Sequence, residues 1–443
     1  MTAALQADVV VVGGGPAGAA TAWALARNGV DVLVVDAAHF PRAKPCAEYL
    51  GPPATRVLSE MGALERIYGA GAVPITGMTV HAPSGTQFHG RFADGPERDN
   101  LPTSGVAIQR EQLDPILLDR ARAVGARVLE GVAVRDLARN TTGRVVGVRV
   151  RDADAPVHGD ASDARSASDA RSASDASMLR TIEARIVVGA DGFGSVVARQ
   201  LGSSARAPQP RRIAFVAHCH GVSGMGDSRE LHLFADGYCE LVPVGGGMTS
   251  ITIVVPATPA HTAADPHAFC THWLAAHPRV GSRCQRTELP STLRVAGPFA
   301  AHGTRTHRAW APGACLVGDA TESCAPVIGT GIHTALRGGA ILGPYLCEAL
   351  RAPSPARADH ALEAYERSRQ YEFGTRRLVE RLLGSALTVP ALMDRVARSL
   401  SERHDLADLW VRVVDGIVPV SAALRPGLLW QLFAPPNGRQ DLV

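Results

Sequence analysis

The segment Val9-Val10-Val11-Val12-Gly13-Gly14-Gly15-Pro16-Ala17-Gly18 lies near the start of this 443-residue chain. Its four valines predict a buried strand, and the alanine-rich run at 19–26 predicts a helix. A strand, a glycine turn and a helix in this order are the context that a dinucleotide-binding fold requires. The stretch therefore predicts a turn that binds the phosphates of a nucleotide cofactor.

The glycines of this turn have separate physical tasks. Gly13 permits the tight turn, Gly15 lets the backbone approach a pyrophosphate, and Gly18 lets the helix pack closely against the strand. Asp36 ends the next apolar run, at the separation where a carboxylate accepts hydrogen bonds from an adenosine ribose. An acid at this position favours an unphosphorylated ribose over the ribose of NADP.

A second glycine-rich region runs from Gly318-Asp319-Ala320 to Gly329-Thr330-Gly331. The apolar residues 314–317 predict a buried strand before it, and the residues after Gly331 predict a helix. Gly331 then stands at a second helix N-terminus, where negative charge is stabilised. Asp319, at the strand end, is suited to accept a hydrogen bond from a hydroxyl group of the cofactor.

A third stretch, Val188-Gly189-Ala190-Asp191-Gly192-Phe193-Gly194-Ser195, lies between these two. In this order the three stretches resemble the motifs of the two-dinucleotide-binding-domain (GR2) FAD oxidoreductases, which include group A flavin monooxygenases, geranylgeranyl reductases and flavin-dependent halogenases. The resemblance covers roughly residues 8–345. It implies FAD as the cofactor and an α/β, Rossmann-like flavoprotein fold with an inserted antiparallel substrate-binding sheet and a helical C-terminal region.

The resemblance also assigns cofactor contacts. Arg110 looks like the family's arginine that opens a helix and reaches the FAD phosphate and ribose, and Val134 matches the position whose backbone meets the adenine. Residues 40–52 resemble the loop that reductases and phenol-type halogenases run along the flavin. The predicted cofactor-binding residues are Gly13, Gly15, Ala17, Gly18, Asp36, Cys46, Ala47, Tyr49, Arg110, Val134, Asp191, Asp319, Gly331 and Ile332.

Three residues are candidates for catalysis: Cys46, Glu48 and Glu240. The first two lie in the loop that resembles the reductases, although reductases favour a small residue where Tyr49 stands. Glu240 has two interpretations, an acid or base in the substrate pocket or an outward residue on an alternating strand. Halogenation is not favoured, because the tryptophans that halogenases carry near residue 240 are missing and Lys44 is the only lysine.

Histidines and cysteines do not predict a metal site. His218 and His220 lie two apart on a predicted strand and His232 follows nearby, but no carboxylate has a suitable spacing. We expect these histidines to line the pocket or face water. The eight cysteines form no C-x-x-C pair, so the sequence predicts neither zinc nor a disulfide framework.

Composition limits the classes of function. A hydrophobic content of 46% is ample for a large core, and a net charge of +3 with scattered arginines does not favour nucleic-acid binding. We expect a monomer or homodimer. We also expect a cytoplasmic location, because no basic segment of the kind found in signal peptides precedes the first apolar run. No uninterrupted run of 18 apolar residues predicts a membrane span, and peripheral membrane contact stays open.

The order of the motifs requires a discontinuous cofactor domain. We assign residues 1–75, 105–205 and 299–349 to it, residues 76–104 and 206–298 to a substrate-binding β-sheet domain, and residues 350–443 to a helical region. The repeat Ala-Ser-Asp-Ala-Arg-Ser at 161–166 recurs at 167–172, which predicts a disordered loop over 155–178.

These features favour an NAD(P)H-dependent FAD monooxygenase that hydroxylates an aromatic, polyketide-like or bulky apolar small molecule. NAD(P)H is the expected electron donor, and it would visit transiently because no separate nicotinamide domain is evident. The alternative is an enzyme like geranylgeranyl reductase that saturates isoprenoid double bonds. Two further alternatives are a flavin halogenase and a non-catalytic lipid-binding or escort protein.

Overall fold

The computed structural model describes most of the chain. The described residues are 5–46, 48–93, 102–153, 179–204, 210–263, 265–285, 287, 289–290, 293–300, 304–306, 308–323, 326–386 and 389–422. Ala47, the predicted repeat loop at 155–178 and residues 423–443 lie outside them.

The described strands alternate with helices in the first part of the chain and follow one another in the middle. The strands are β1 Gln6–Val12, β2 Val32–Val35, β3 Tyr49–Leu50, β4 Val73–Ile75, β5 Gly77–His81, β6 Gln87–Arg91, β7 Gly105–Ala107, β8 Arg127–Leu129, β9 Val132–Arg139, β10 Val145–Asp152, β11 Arg180–Gly189, β12 Arg211–His220, β13 Ser228–Leu233, β14 Tyr238–Gly245, β15 Met248–Pro256, β16 Arg294–Ala300, β17 Thr304–Arg305, β18 Trp310–Ala311, β19 Ala314–Leu316 and β20 Glu322–Ser323.

The described α-helices are short in the middle of the chain and long at its end. They are α1 Pro16–Ala26, α2 Pro52–Glu60, α3 Leu64–Gly69, α4 Arg110–Ala123, α5 Val196–Gln200, α6 Pro259–Ala263, α7 Pro266–Ala276, α8 Pro278–Gly281, α9 Gly331–Arg351, α10 Pro355–Ala386, α11 Pro390–Ser401 and α12 His404–Val414. Short 3₁₀ turns cover Ser282–Cys284, Gly318–Ala320, Pro326–Ile328 and Val420–Ala422.

The first sheet carries the motif strands. Its order is β18-β19-β11-β1-β2-β8, and β10 pairs with β11 and β9 outside that path. The apolar run of β1 is central: it pairs in parallel with β2 on one side and β11 on the other, so Val12 lies opposite both Val35 and Gly189. Parallel strands end at a common edge, and this edge collects the turns that follow β1, β2, β11 and β19.

The second sheet has seven strands in the order β16-β12-β15-β14-β13-β5-β6. Its pairs are antiparallel except β13 with β5. On one face of β12, Phe215 and Ala217 pack with Trp273 of α7, while Ala214 and Val216 point to the other side. A two-sided sheet of this kind can cover a cofactor with one face while helices protect the other.

Two smaller elements join the layers. The sheet β3-β7-β4 ties Tyr49 and Leu50, at the end of the 40–52 loop, to the strand that leads into α4. The C-terminal helix α12 packs on β6 at the edge of the second sheet, where Trp410 meets Phe88 edge to face at 5.3 Å. The helical C-terminal region therefore covers one edge of the second sheet.

The predicted fold class is confirmed: the chain is a mixed α/β protein with a Rossmann-like cofactor half, an antiparallel second sheet and a helical C-terminal region. Among the residues that the structure describes, no helix has both the length and the apolar character of a membrane span. The domain boundaries given above remain a prediction.

Candidate active site

A groove of about 520 Å³ runs along the carboxyl edge of the first sheet. Many of the predicted cofactor-binding residues line it, although they come from distant parts of the chain. They are Gly13, Gly15, Ala17, Asp36, Arg110, Val134, Asp191, Asp319, Gly331 and Ile332. The groove is open at its surface.

Gly18 lies behind the groove instead of lining it. A Cβ atom at Gly18 would overlap the carbonyl oxygen of Gly13, so only glycine lets α1 begin directly behind the turn. Its task is therefore the close packing that the sequence predicts, and through this packing it holds the N-terminus of α1 against the groove.

The Asp36 carboxylate is fixed at the end of β2. Its Oδ2 accepts a hydrogen bond from the Gly14 backbone N–H at 2.7 Å, and its Oδ1 accepts one from Ala38 N–H at 2.8 Å. These bonds leave the carboxylate on the groove wall with further lone pairs, as recognition of a ribose diol requires.

Cations gather at the middle of the groove. Arg110 binds Asp114 through two parallel hydrogen bonds of 2.8 and 2.7 Å, and Arg42 approaches the same carboxylate at 3.5 Å. Lys44, whose pKa is lowered by burial and by the neighbouring Arg110, lines the groove beside them. Two arginines against one aspartate leave a net positive charge, which suits a diphosphate.

Asp319 and the N-terminus of α9 form the far end of the groove. Burial raises the pKa of Asp319, while Lys44 and Arg110 act in the opposite direction. A buried acid of this kind can accept a hydrogen bond from a ribityl hydroxyl, and the free N–H groups at Gly331 can meet the electron-rich end of a flavin ring. The residues of the groove therefore fit FAD.

Asp191 lines the groove but also shapes its own loop. Its Oδ1 accepts a hydrogen bond from the Ser195 hydroxyl at 2.5 Å, and its Oδ2 accepts one from the Val196 N–H at 2.7 Å. These bonds cap the short helix α5. A carboxylate bound in this way contributes to the groove mainly through the backbone that it holds.

A second cavity of about 370 Å³ continues from the first beneath the antiparallel sheet. The two share six lining residues, which are Lys44, Arg110, Phe193, Asp319, Gly331 and Ile332. Its sheet wall is largely apolar and is made by Ala214, Val216, Tyr238, Val254, Ala296 and Phe299. An apolar chamber that opens onto the flavin end of the groove is where a water-poor reaction would take place.

The loop of residues 40–52 supplies the opposite wall through Cys46, Glu48 and Tyr49. Burial raises the pKa of Cys46 even though Arg110 opposes the shift, so the thiol is protonated at neutral pH. Its Sγ accepts a hydrogen bond from the Glu48 N–H at 3.3 Å. The predicted contact at Ala47 lies outside the described residues.

Glu48 holds the loop in an unusual conformation. It is 1% exposed and has a φ of +63°, in the left-handed region that residues other than glycine rarely adopt. Its Oε1 accepts a hydrogen bond from Arg110 N–H at 2.9 Å, and its Oε2 lies 2.5 Å from His218 Nε2. Both oxygens therefore fasten the loop to α4 and to the substrate sheet.

Glu240 points into the second cavity and not toward solvent. It is 3% exposed and lies on β14 opposite Thr252. Burial raises the pKa of Glu240 to about 7, although Arg229 opposes this. The interpretation of Glu240 as an outward residue is therefore wrong, because both faces of β14 are covered.

Arg229 is the buried cation behind this wall. It donates hydrogen bonds to Glu240 Oε1 at 3.1 Å and to the Ile328 carbonyl at 3.2 Å, and it lies over the Tyr49 ring at 4.6 Å. A Cβ at Gly329 would overlap its guanidinium. Arg229 therefore supports the loop before α9, a role that no motif in the sequence predicts.

The histidines take positions that the sequence does not predict. His232 lies away from His218 and stacks on His81 at 4.0 Å, with Glu230 Oε2 at 3.0 Å from its Nε2. One ligand atom from each of His81, Glu230 and His232 lies within 4.8 Å of the others, so a carboxylate does stand beside the histidines, contrary to the expectation from the sequence. Arg283 binds both oxygens of this carboxylate. This cluster attaches the turn at Ser282–Cys284 to the outer face of the sheet.

The fold and the two joined cavities define a class, the FAD-dependent oxidoreductases with two dinucleotide-binding regions. Residues 6–375 match the family model described as "FAD binding domain", and the chain belongs to that family. The chain is therefore an FAD-dependent oxidoreductase, and FAD is its cofactor.

Curated relatives match nearly the whole chain. It is 27% identical over 427 residues to digeranylgeranylglycerophospholipid reductase 2 of Methanopyrus kandleri, covering 95% of each protein. It is 29% identical over 430 residues to menaquinone reductase of Mycolicibacterium smegmatis, covering 93% of this chain and 92% of that protein.

Solved structures share the fold at lower identity. A flavoprotein/dehydrogenase from Cytophaga hutchinsonii has a TM-score of 0.75 at 20% identity and covers 96% of this chain and 95% of its own. A geranylgeranyl bacteriochlorophyll reductase-like protein from Thermoplasma acidophilum has a TM-score of 0.72 at 20% identity, with coverage of 95% and 98%. The myxobacterial chondrochloren halogenase CndH has a TM-score of 0.73 at 21% identity, with coverage of 96% and 93%. These likenesses concern the fold alone.

Proposed function

We propose that this protein is an FAD-dependent reductase that saturates a carbon–carbon double bond in an isoprenoid chain. The observation that carries the proposal is Glu240, a buried carboxyl that faces an apolar cavity at the flavin end of the groove and whose pKa is raised to about 7. The similarity over nearly the whole chain to a digeranylgeranylglycerophospholipid reductase and a menaquinone reductase supports the same choice.

The reaction adds a hydride to one alkene carbon and a proton to the other. Reduced FAD supplies the hydride when it is bound in the groove. The Glu240 O–H bond breaks as a new C–H bond forms, and the carboxylate that remains lies 3.1 Å from Arg229. A proton from solvent restores the acid after turnover, so electrons and protons balance for each double bond.

The chamber walls select an apolar chain. Ala214, Val216 and Val254 present small aliphatic groups, and Tyr238 and Phe299 add flat aromatic faces. An alkene forms no strong hydrogen bonds, so its binding free energy comes from burial of its apolar surface, which contributes about 25 cal/mol per Å². Once substrate fills the chamber, these walls keep water away from the Glu240 proton.

NAD(P)H is the electron donor that we propose. The FAD groove and the chamber are continuous, so a nicotinamide can reach the flavin end through the chamber before the lipid enters. Anaerobic bleaching of the FAD absorbance on adding NADH or NADPH tests this part by itself. If the FAD absorbance bleaches only with dithionite or a reduced ferredoxin, the electron donor is not NADH or NADPH.

The function is tested by anaerobic incubation of FAD-loaded enzyme and reductant with two probes, a geranylgeranyl phospholipid and a short-chain menaquinone. We expect a product that is heavier by one H₂ per reduced double bond, and Glu240→Asp should retain part of the activity because it retains an acid. Unchanged probes, under conditions in which the FAD is reduced, would contradict the proposal.

Hydroxylation of a compact aromatic or apolar molecule is the second candidate. Tyr49 favours it, because its buried ring narrows the chamber beside the flavin end, at the position where reductases favour a small residue. Product that forms only in air, with one oxygen atom added and NAD(P)H consumed in equal amount, would establish this candidate.

A further inference from the structure

Asp415 brings the C-terminal helical region to the candidate active site. It directly follows α12 and is 1% exposed. The Tyr49 hydroxyl donates a hydrogen bond to its Oδ1 at 2.8 Å, and its Oδ2 lies 4.0 Å from Arg229 Nη2. A residue more than 360 positions away in sequence from Tyr49 thus closes the wall behind Glu240.

Two carboxyls share one guanidinium at this point. Arg229 meets Glu240 at 3.1 Å through Nη1 and Asp415 at 4.0 Å through Nη2. All three side chains are buried, so two full negative charges beside one positive charge are unfavourable there. One carboxyl therefore holds its proton to a higher pH than an exposed acid does.

The contacts decide which carboxyl is ionised. Burial raises the pKa of Asp415, but Arg229 and the Tyr49 hydroxyl both act to lower it. Glu240 is stabilised as a carboxylate by Arg229 alone, and the charge of Asp415 opposes its ionisation. Glu240 accepts its hydrogen bond from Arg229, whereas Asp415 accepts one from Tyr49 and has Arg376 as a second nearby cation. Two cations and a hydroxyl donor make Asp415 the better carboxylate of the two.

We propose that Asp415 is a positioning residue for the proton donor of the reaction. With the Tyr49 hydroxyl it holds the negative charge that pairs with Arg229, and Glu240 therefore remains the protonated carboxyl that faces the substrate chamber. The use of this proton in a reaction rests on the proposed function, whereas its location on Glu240 does not.

Further charged groups lie on both sides of this wall: Lys44, Glu48, Arg110 and Asp319 line the chamber with Glu240, and Arg376 lies behind Asp415. Arg376 of α10 approaches the backbone at Gly416 and acts to lower the pKa of Asp415. Its Nη1 lies 3.1 Å from His333 Nδ1, and burial together with Arg376 lowers the pKa of His333 to about 3. Arg376 thus supports the ionised form of Asp415, and His333 stays neutral across the working pH range.

Infrared spectroscopy can locate the proton without measuring catalysis. A protonated carboxyl has a C=O stretching band that disappears on ionisation, and the band of Glu240 is the one missing from Glu240→Gln. In FAD-loaded wild-type protein we expect this band to titrate with a midpoint near pH 7. In Asp415→Asn the midpoint should fall by about one pH unit or more, since a nearby negative charge has been removed.

Three variants make the titration specific. Asp415→Glu restores the charge and should move the midpoint back toward that of the wild type. Tyr49→Phe removes the donor to Asp415 and should shift the midpoint in the same direction as Asp415→Asn but by less, which gives a second measurement if Asp415→Asn does not fold. Asp405→Asn, an exposed carboxylate of the same helix, should leave the midpoint unchanged.

An unchanged Glu240 midpoint in Asp415→Asn and Tyr49→Phe would overturn the inference, as would a wild-type Glu240 that is already ionised below pH 5. The proposed function fails in a different way. A midpoint that falls in Asp415→Asn, in a protein that saturates no alkene, would support the placement of the proton and refute the reaction.

Discussion

The cofactor groove and the substrate chamber are built in different ways. The groove is made by backbone turns at strand ends, where Gly13, Asp36 and Asp319 stand in short motifs. The chamber depends on single side chains from separate segments, among which Glu240 and Asp415 lie far apart in sequence. A site defined by backbone geometry leaves a continuous pattern in the sequence, whereas a site defined by side chains that meet only in the fold leaves none.

The largest effect is expected from breaking the groove at its backbone. Gly18→Ala places a methyl group on the Gly13 carbonyl oxygen, so the turn and α1 cannot both keep their positions. We expect loss of FAD from the purified protein and a large drop in thermal stability. Gly69→Ala is the matched control, because a Cβ at this exposed helical glycine meets no atom within 4 Å. FAD retention measured by absorbance distinguishes the two, and a Gly18→Ala protein that keeps its flavin would contradict the assignment.

Glu240→Gln should remove the chemistry of the chamber and leave the FAD groove intact. Removal of a proton donor typically costs 10²- to 10⁴-fold in rate, so we expect a loss of about that size in anaerobic alkene reduction. The amount of FAD bound should equal that of the wild type, because Glu240 lines only the chamber. Single-turnover rates and flavin content from the same preparation make the comparison. Wild-type rates in this variant would remove Glu240 from the mechanism.

Arg229→Met tests the buried cation that joins Glu240 to the loop before α9. Removing one partner of a buried ion pair costs about 3–5 kcal/mol, because the remaining carboxyls lose their cation. The free energy of unfolding, measured in urea, should fall by about that amount. Double replacement with Asp415→Asn should recover part of the loss, since the carboxylate left without its cation is then absent. A loss below about 1 kcal/mol would show that the pair is less buried than the structure indicates.

The sequence predicts the two regions to different extents, and for a physical reason. The motif glycines and the acids Asp36 and Asp319 are predicted because the turn that binds a diphosphate restricts the backbone. The sequence leaves the direction of Glu240 open between the pocket and solvent, because helices cover the outer face of β14 and alternation then gives no polar side. Arg229 and Asp415 have no local pattern at all, and only tertiary packing brings them together.

The pH dependence of stability distinguishes the chamber acid from the acids of the groove. The pKa of Glu240 is about 7 in the folded protein against an ordinary 4.5, so the folded state holds a proton that the unfolded chain releases. The contribution of Glu240 to stability therefore falls as pH rises from about 4.5 through about 7 and is level above that. The difference in melting temperature between wild type and Glu240→Gln, followed from pH 5 to pH 8, should show this slope. A flat difference would mean that Glu240 titrates normally.

The smallest expected effect concerns the only lysine. Lys44 lines both cavities, so its ammonium can approach the cofactor phosphates. We expect Lys44→Gln to weaken FAD binding about tenfold, the size of one charge-assisted hydrogen bond, while Lys44→Arg retains most of the affinity. Fluorescence quenching of FAD by the apoprotein gives both constants. Equal affinities in all three proteins would show that the arginines alone supply the positive charge.

The most direct test of the central claim is a single turnover in D₂O without oxygen. FAD-loaded enzyme is reduced, mixed with a geranylgeranyl phospholipid, and the product is analysed by mass spectrometry. We predict a product in which one double bond is reduced and both of its former alkene carbons carry deuterium, because the flavin hydride and the Glu240 proton both exchange with solvent before transfer. Unchanged lipid under these conditions, together with incorporation of ¹⁸O after ¹⁸O₂ is admitted, would contradict the reductase and establish a monooxygenase.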